Sequence, residues 1–154
     1  MARTPAPDLQ YSGLDELLGY RLRRAQSAVH RDYNAAFDDL KLTQKQTGVM
    51  WLVLCNPGIA QGAIGAALGM DRATMMVIVD RLEARGLLQR VRSRKDARQR
   101  ELVATPEGQR LMKKVQTRTI AHEKRLKQLF TATELRTFER TLQKLQRLEE
   151  SVEE

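Results

Sequence analysis

The stretch from Asp71 to Pro106 changes its period once, and stop or start signals bound both parts. In "DRATMMVIVDRLEARG", Met75, Ile78, Val79 and Leu82 recur at steps of three, one and three, a stripe along one side of a helix. Asp71 stands where an N-cap belongs and Gly86 where a C′ residue belongs. The next segment, "LLQRVRSRKDARQRELVAT", is too charged for a buried helix. Its apolar residues sit at the ends, Leu87, Leu88 and Val91, then Leu102 and Val103. That arrangement predicts a β-hairpin whose tip lies near Arg94–Ala97. Thr105-Pro106, a cap followed by proline at the first helical position, restarts a helix. Just upstream, "AQGAIGAALGM" predicts a short helix of small residues ending near Gly69. Gly62 and Gly65 each cost that helix about 0.5–1 kcal/mol relative to Ala, so its neighbours hold it or it approaches something closely. Two helices joined by a tight glycine-containing turn, then a hairpin, make a helix-turn-helix pattern with a β appendage.

The flanks are helical. Residues 1–11, with two prolines, predict a loose arm. Leu14, Leu18, Leu22, Ala25, Val29, Tyr33 and Phe37 then trace a stripe along one long helix, with Ser12 as its cap. "LTQKQTGVMWLVLCNPG" predicts a short buried helix, opened by a Thr43/Gln46 capping box and stopped at Pro57-Gly58. The helix from Pro106 is expected to run to about Phe130. Thr131 and Glu134 repeat the capping box, and Leu135, Phe138, Leu142 and Leu145 form the seam of the last helix, with Leu148 beyond it. The predicted class is mainly α with a small β-hairpin wing. A central lobe, 41–105, carries the hairpin at 87–104, and long helices flank it at 12–40 and 106–150. Long terminal helices with few partners in their own chain predict a two-fold homodimer.

At 154 residues the chain has the length of one domain. Its net charge of +8 and pI of about 10.1 favour a polyanionic partner. The positive charge concentrates in the hairpin: six of the first eleven residues of "RVRSRKDARQREL" are Arg or Lys, and only Asp96 is acidic. Cys55 is the one cysteine, so no intramolecular disulfide forms, and with no apolar leader in "MARTPAPDLQ" the expectation is cytoplasmic. No apolar run approaches the roughly 18 residues of a membrane span, so no membrane partner is expected. His30 and His122 have no nucleophile or ligand pattern beside them, and no phosphate loop or CxxC occurs. The expectation is a protein that is not an enzyme and carries no metal or cofactor.

In this order and spacing, "VDRLEARGLLQRV", the "DAR" at Asp96–Arg98 and the "ATPEG" at Ala104–Gly108 resemble the MarR family of winged helix-turn-helix regulators over roughly residues 12–150. The resemblance implies a homodimeric DNA-binding regulator, by default a repressor. With the core stripe facing inward, Arg72, Ala73, Thr74, Met76 and Val77 are the exposed positions early in the recognition helix. Arg72 suits a guanine edge or a phosphate. Met76 and Val77 offer only apolar contact and suit thymine methyls. Gln44, Lys45 and Gln61 stand at helix starts, which suit phosphates. A basic hairpin bearing Arg92, Arg94, Lys95, Arg98 and Arg100 suits the narrow minor groove. The resemblance implies that Arg98 inserts, and it gives the Asp96 carboxylate the role of holding an arginine in one rotamer. It also implies a small-molecule effector, an aromatic or phenolic acid or its coenzyme A thioester, bound between the dimerisation helices and the DNA-binding lobe. Arg21, Arg24, His30, Tyr33, Met50, Trp51 and Leu54 are the candidate wall residues.

Two other readings use the same residues. One is a ligand-independent architectural DNA binder. The other is a redox-responsive regulator acting through Cys55, against which the neighbouring Trp51, Leu52 and Leu54 count: an apolar setting blunts a thiol.

Overall fold

A computed structural model describes residues 10–93 and 100–148. The predicted hairpin tip lies outside the described residues. The chain divides into two units, Met1–Gln44 and Lys45–Glu154.

In the first unit, a 3-10 turn at Leu14–Glu16 precedes α1, Leu18–Phe37, and a second 3-10 turn, Asp38–Leu40, follows it. The predicted continuous helix capped by Ser12 is therefore corrected. Ser12 adopts a positive φ of 47°, and extended backbone at Leu17 (φ −66°, ψ 127°) separates the turn from α1. Only the C-terminal end of the predicted stripe is covered. Tyr33 and Phe37 are buried and stack with ring centroids 4.0 Å apart, while Leu14, Leu18 and Val29 are exposed.

The second unit holds α2, Gln44–Cys55, which begins one residue earlier in the first unit's last position, then β1, Ile59–Ala60, α3, Gln61–Ala67, and α4, Arg72–Ala84. After these come β2, Leu88–Arg92, β3, Arg100–Ala104, α5, Pro106–Lys127, and α6, Ala132–Gln146. The three strands form an antiparallel sheet in the order β1-β3-β2, with Leu88 opposite Ala104 and Arg92 opposite Arg100. Strand β1 was absent from the sequence reading because two residues have no period. Its register is set by β3, with Ile59 opposite Leu102 and the Gly58 N–H donating to the Leu102 carbonyl at 3.1 Å.

The core of this unit collects Val49, Met50, Val53, Ile64, Met75, Val79, Leu82, Leu88, Leu102, Met112 and Val115, all essentially inaccessible. Each such side chain contributes about 1.5–3 kcal/mol by leaving water. All four residues of the α4 stripe are buried, as their spacing predicts. Gly65 explains the small-residue helix α3: a Cβ there would lie 3.1 Å from the Met70 carbonyl oxygen and 3.2 Å from Met75 Cγ. The helix-turn-helix is therefore packed so closely at 65 that a Cβ there would require its neighbours to give by a few tenths of an ångström.

The signals predicted at both ends of α4 and at the starts of α5 and α6 are present. Asp71 accepts from the Thr74 N–H at 2.8 Å. At the other end of α4, Gly86 (φ 67°) donates to the Glu83 carbonyl and Leu87 to the Leu82 carbonyl. This is a Schellman stop, which needs the left-handed conformation at Gly86. Thr105 accepts from the Gly108 N–H at 3.0 Å and donates its own hydroxyl proton to the Gly86 carbonyl at 2.6 Å. The Thr105 N–H bonds to the Leu87 carbonyl, and a Cβ on Gly108 would lie 1.9 Å from that same oxygen. One joint thus ties the end of α4, the root of the hairpin and the start of α5. Helix α5 ends at Lys127, short of the predicted Phe130, and α6 opens with a complete Thr131/Glu134 capping box. No residue of α6 is buried: Phe138 and Leu142 are exposed, and Phe138 stacks on Phe130 at 5.3 Å.

Candidate nucleic-acid interface

Helix α4 presents to solvent the positions that its buried stripe leaves over. Arg72 and Ala73 are exposed in its first turn, Met76 is 52% exposed and Val77 46%. Those last two are large apolar side chains held out of the core, so Met76 is not the inter-helix packing residue that its hydrophobicity alone suggests. Thr74 is half-buried, and its hydroxyl donates to Asp71 Oδ2 at 2.7 Å. Its proton is therefore already engaged, leaving oxygen lone pairs and a methyl group for an outside contact. These bonds from the Thr74 hydroxyl, then its N–H, hold the Asp71 carboxyl below the usual aspartate range.

An open cleft of about 830 Å³ runs between α3, α4 and the hairpin. Gln61, Gly62 and Gly65 line one wall, Arg72, Met76 and Asp80 another, and Arg90 and Arg100 the hairpin side. Four residues singled out in the sequence, Gln61, Arg72, Met76 and Arg100, thus come together. Arg72 and Arg100 make no ion pair among the described residues, so neither charge at the cleft is committed to a carboxylate there. Arg92 is exposed directly opposite Arg100 in the hairpin register. Two like charges so placed repel each other across the ladder.

Arg90 behaves differently from the rest of the basic run. It bridges Asp80 and Glu83 of α4, with one guanidinium nitrogen 2.5 Å from Asp80 Oδ1 and another hydrogen-bonded to Glu83 Oε2. Its backbone N–H also donates to Glu83 Oε1 at 2.9 Å. Burial opposes the charge on Arg90, but the bonds to Asp80 and Glu83 outweigh it and raise the pKa of the guanidinium further. Asp80, Glu83 and Arg90 were missed as a set. The signal was two carboxylates three residues apart at the end of α4, followed by an arginine at the hairpin root.

Gln44 and Lys45 are the first two residues of α2 and are exposed. The basic residues Arg94, Lys95 and Arg98, and Asp96 with them, lie outside the described residues. Of the candidate effector residues, Arg21, Arg24, His30 and Tyr33 belong to the first unit and Met50, Trp51 and Leu54 to the second. Arg21 Nε donates to the Asp15 carbonyl at 2.8 Å, and the Arg24 guanidinium lies 5.9 Å from the centre of the Tyr20 ring. His30 Nδ1 is 3.4 Å from the Asn34 amide, and Tyr33 is buried against Phe37. Trp51 and Leu54 are half-buried, and Trp51 borders an open groove of about 740 Å³ with Ile120, Lys124, Lys127 and Phe130. Met50 is wholly enclosed in packing that includes the Gly108 joint, so it is core rather than pocket wall. The expected apolar shelter of Cys55 is also corrected: α2 ends at that residue, and it is exposed.

Three comparisons place this arrangement among known proteins. The MarR family model matches residues 39–99, which span α2, α3, α4 and β2. The HTH-type transcriptional regulator TtmR of Methylorubrum extorquens is 31% identical over 115 residues, covering 75% of this chain and 58% of that protein. The transcriptional repressor CouR superposes over 91% of this chain and 99% of its own, at 33% identity. The TM-score is 0.83 for its structure bound to a 23-mer DNA duplex and 0.82 for that bound to p-coumaroyl-CoA. The PcaV regulator of Streptomyces coelicolor, in complex with its natural ligand, is 25% identical with a TM-score of 0.75, over 91% of this chain and 96% of that one. The winged helix, the basic cleft beside α4 and these likenesses agree: the chain belongs to the MarR family of DNA-binding transcriptional regulators.

Proposed function

We propose that the protein is a homodimeric repressor that reads a pseudo-palindromic operator and is released from it by a small aromatic or phenolic acid or the coenzyme A thioester of one. The observation that carries this reading is the exposed edge of α4. Arg72, Ala73, Thr74, Met76 and Val77 stand beside a cleft that Gln61 and Arg100 complete. On this reading α4 enters the major groove. Arg72 takes a guanine edge or a phosphate, and Met76 and Val77 take thymine methyls. Gln44, Lys45 and Gln61 meet phosphates. The wing follows the adjacent minor groove with Arg92, Arg94, Lys95, Arg98 and Arg100, and Asp96 aims an arginine there. Dimerisation covers the exposed apolar residues of α5 and α6 and sets two recognition helices about one turn of DNA apart. Residues 41–105 form the DNA-binding lobe, and the helices on either side the dimer contacts. The protein acts in the cytoplasm.

The CouR structure with p-coumaroyl-CoA supports an effector of this chemistry, the PcaV structure with its natural ligand supports effector binding, and the CouR structure with a DNA duplex supports the DNA reading. Arg21 and Arg24 are its candidate anion contacts, and His30, Tyr33, Trp51 and Leu54 its candidate wall residues. An effector of this kind works only through unequal affinity for the DNA-competent and incompetent spacings. A thermal-shift screen of aromatic acids and their coenzyme A thioesters, with each hit retested for release of bound operator, tests the reading. Release at micromolar effector is the expected result. DNA binding that rises uniformly with fragment length, with no protected palindrome and no releasing ligand, would favour the architectural alternative.

A further inference from the structure

We propose that Arg90 is a positioning residue for DNA recognition: by bridging Asp80 and Glu83 it locks the root of the wing to the recognition helix, so that both reach the duplex as one unit. The inference rests on the reading of α4 and the hairpin as the DNA-contacting elements. It goes beyond that reading in giving Arg90, the one arginine of the basic run that the reading leaves unassigned, a role other than DNA contact.

The geometry separates a brace from a contact. Asp80 and Glu83 are three residues apart, so they share one face of α4. The guanidinium of Arg90, on β2, divides its two amino groups between them. Glu83 uses its second oxygen for the Arg90 backbone N–H at 2.9 Å, so it fixes the strand as well as the side chain. Side chain and backbone of one residue thus bind two points on the helix. Only a planar fork with several donors in fixed directions can do this; a lysine ammonium is a single point. The Arg90 side chain is 23% exposed, against 56% for Asp80 and 37% for Glu83, so the arginine lies beneath its carboxylates. One positive charge faces two negative ones, and the triad carries a net negative charge beside the cleft. A residue selected to grip phosphate would not be overcompensated in this way. The positive charge that lines the cleft without such partners belongs to Arg72 and Arg100.

The two roles predict opposite signs for one substitution. If Arg90 contacts phosphate and the acids merely restrain it, Asp80→Asn with Glu83→Gln frees a cation, deletes two repulsive charges and tightens binding. If Arg90 is a brace, the same double variant weakens binding despite its more favourable charge. The test uses the full chain and a duplex that the wild-type protein selects from a random-sequence library. Hydroxyl-radical footprinting follows the minor groove, methylation interference follows guanines in the major groove, and the affinity is titrated against salt. For Arg90→Met the expected result is affinity about tenfold weaker, loss of minor-groove protection flanking each half-site, and retained major-groove interference. The salt slope should shrink by at least one, as wing phosphate contacts are lost together. The double amide variant, which keeps both side-chain shapes, is expected to show the same uncoupled footprint with binding a few-fold weaker, and it decides the matter should Arg90→Met fold poorly. Tighter binding by the double amide variant, or intact minor-groove protection in Arg90→Met, overturns the brace alone. A wild-type protein that selects no sequence overturns the DNA reading, and the brace with it.

Discussion

Helices α4 and α6 belong to the same unit, have nearly the same length and open on a side chain that caps them, Asp71 in one and Thr131 in the other. Both carry apolar residues at helical spacing. Yet α4 buries its whole stripe of Met75, Ile78, Val79 and Leu82, whereas α6 buries nothing. Period alone specifies that a helix has a face to cover, not what covers it. For α4 the cover is the chain's own α3 and sheet. For α6 the apolar face outlasts the folding of its own chain, which is the condition that a second copy would relieve.

That contrast can be broken or sharpened in four ways. The largest effect is expected at the joint below α4. Gly108→Ala drives a methyl group into the Leu87 carbonyl, a backbone atom with no flexible end to yield. A loss of about 3 kcal/mol in urea unfolding is expected, at the upper end of overpacking costs. A variant within about 0.5 kcal/mol of wild type would show that the joint relaxes freely. Next comes Phe138→Asp combined with Leu142→Asp. If a second copy covers α6, sedimentation equilibrium will show dimer dissociation at least a hundredfold easier, because two large apolar side chains lose their cover. The unfolding midpoint of the dissociated chain should change little, since both residues are exposed within it. A midpoint lowered as far as in Gly108→Ala would erase the distinction between the two helices.

A smaller effect is expected on the outer face of α4. Met76→Ala should weaken binding to a thymine-containing half-site by roughly 1 kcal/mol, about fivefold, and change binding little where thymine is replaced by uracil, which lacks the methyl. Equal losses on both duplexes would place Met76 away from that methyl. The smallest effect separates the two caps from the two faces. Hydrogen bonds from Thr74 hold the Asp71 carboxyl low, and those from Thr131, backbone first, do the same for Glu134. A carboxyl whose folded pKa lies below its unfolded value stabilises above the unfolded pKa, about 3.9 for Asp and 4.3 for Glu. That stabilisation disappears as pH falls through the lower folded value. Thermal unfolding followed from pH ~5 to ~2 should therefore fall less steeply for Asp71→Asn and for Glu134→Gln than for wild type.

Much of this arrangement was legible in the residues. Asp71, Gly86, Thr105-Pro106 and the Thr131/Glu134 box mark helix ends through bonds made within a few residues, so local sequence contains all the information needed. The α4 stripe was readable for the same reason. The hairpin followed from charge bounded by apolar ends. What escaped depended on distant partners. Strand β1 is two residues long and exists because Leu102 offers it a register. The long first helix was overextended because the stripe continues through Leu14 while the backbone breaks at Leu17. Cys55 was read as sheltered because its sequence neighbours are apolar, but the end of α2 turns it outward. At the candidate interface, the spacing of α4 picked out Arg72 and Met76, and the basic hairpin Arg100. It could not show that Arg90, in the same basic run, has its charge committed to α4.

The joint at Gly86, Leu87, Thr105 and Gly108 also bears on how a regulator of this kind can move. A contact with no room for a methyl group has no room for a hinge. Tilting α5 carries the end of α4 with it, much as a crank carries its pin, because the packed atoms between them cannot slide. Any change in the reach of the recognition helix that begins at α5 must therefore be a rotation of the welded assembly, and the bending has to occur at some other point along the chain.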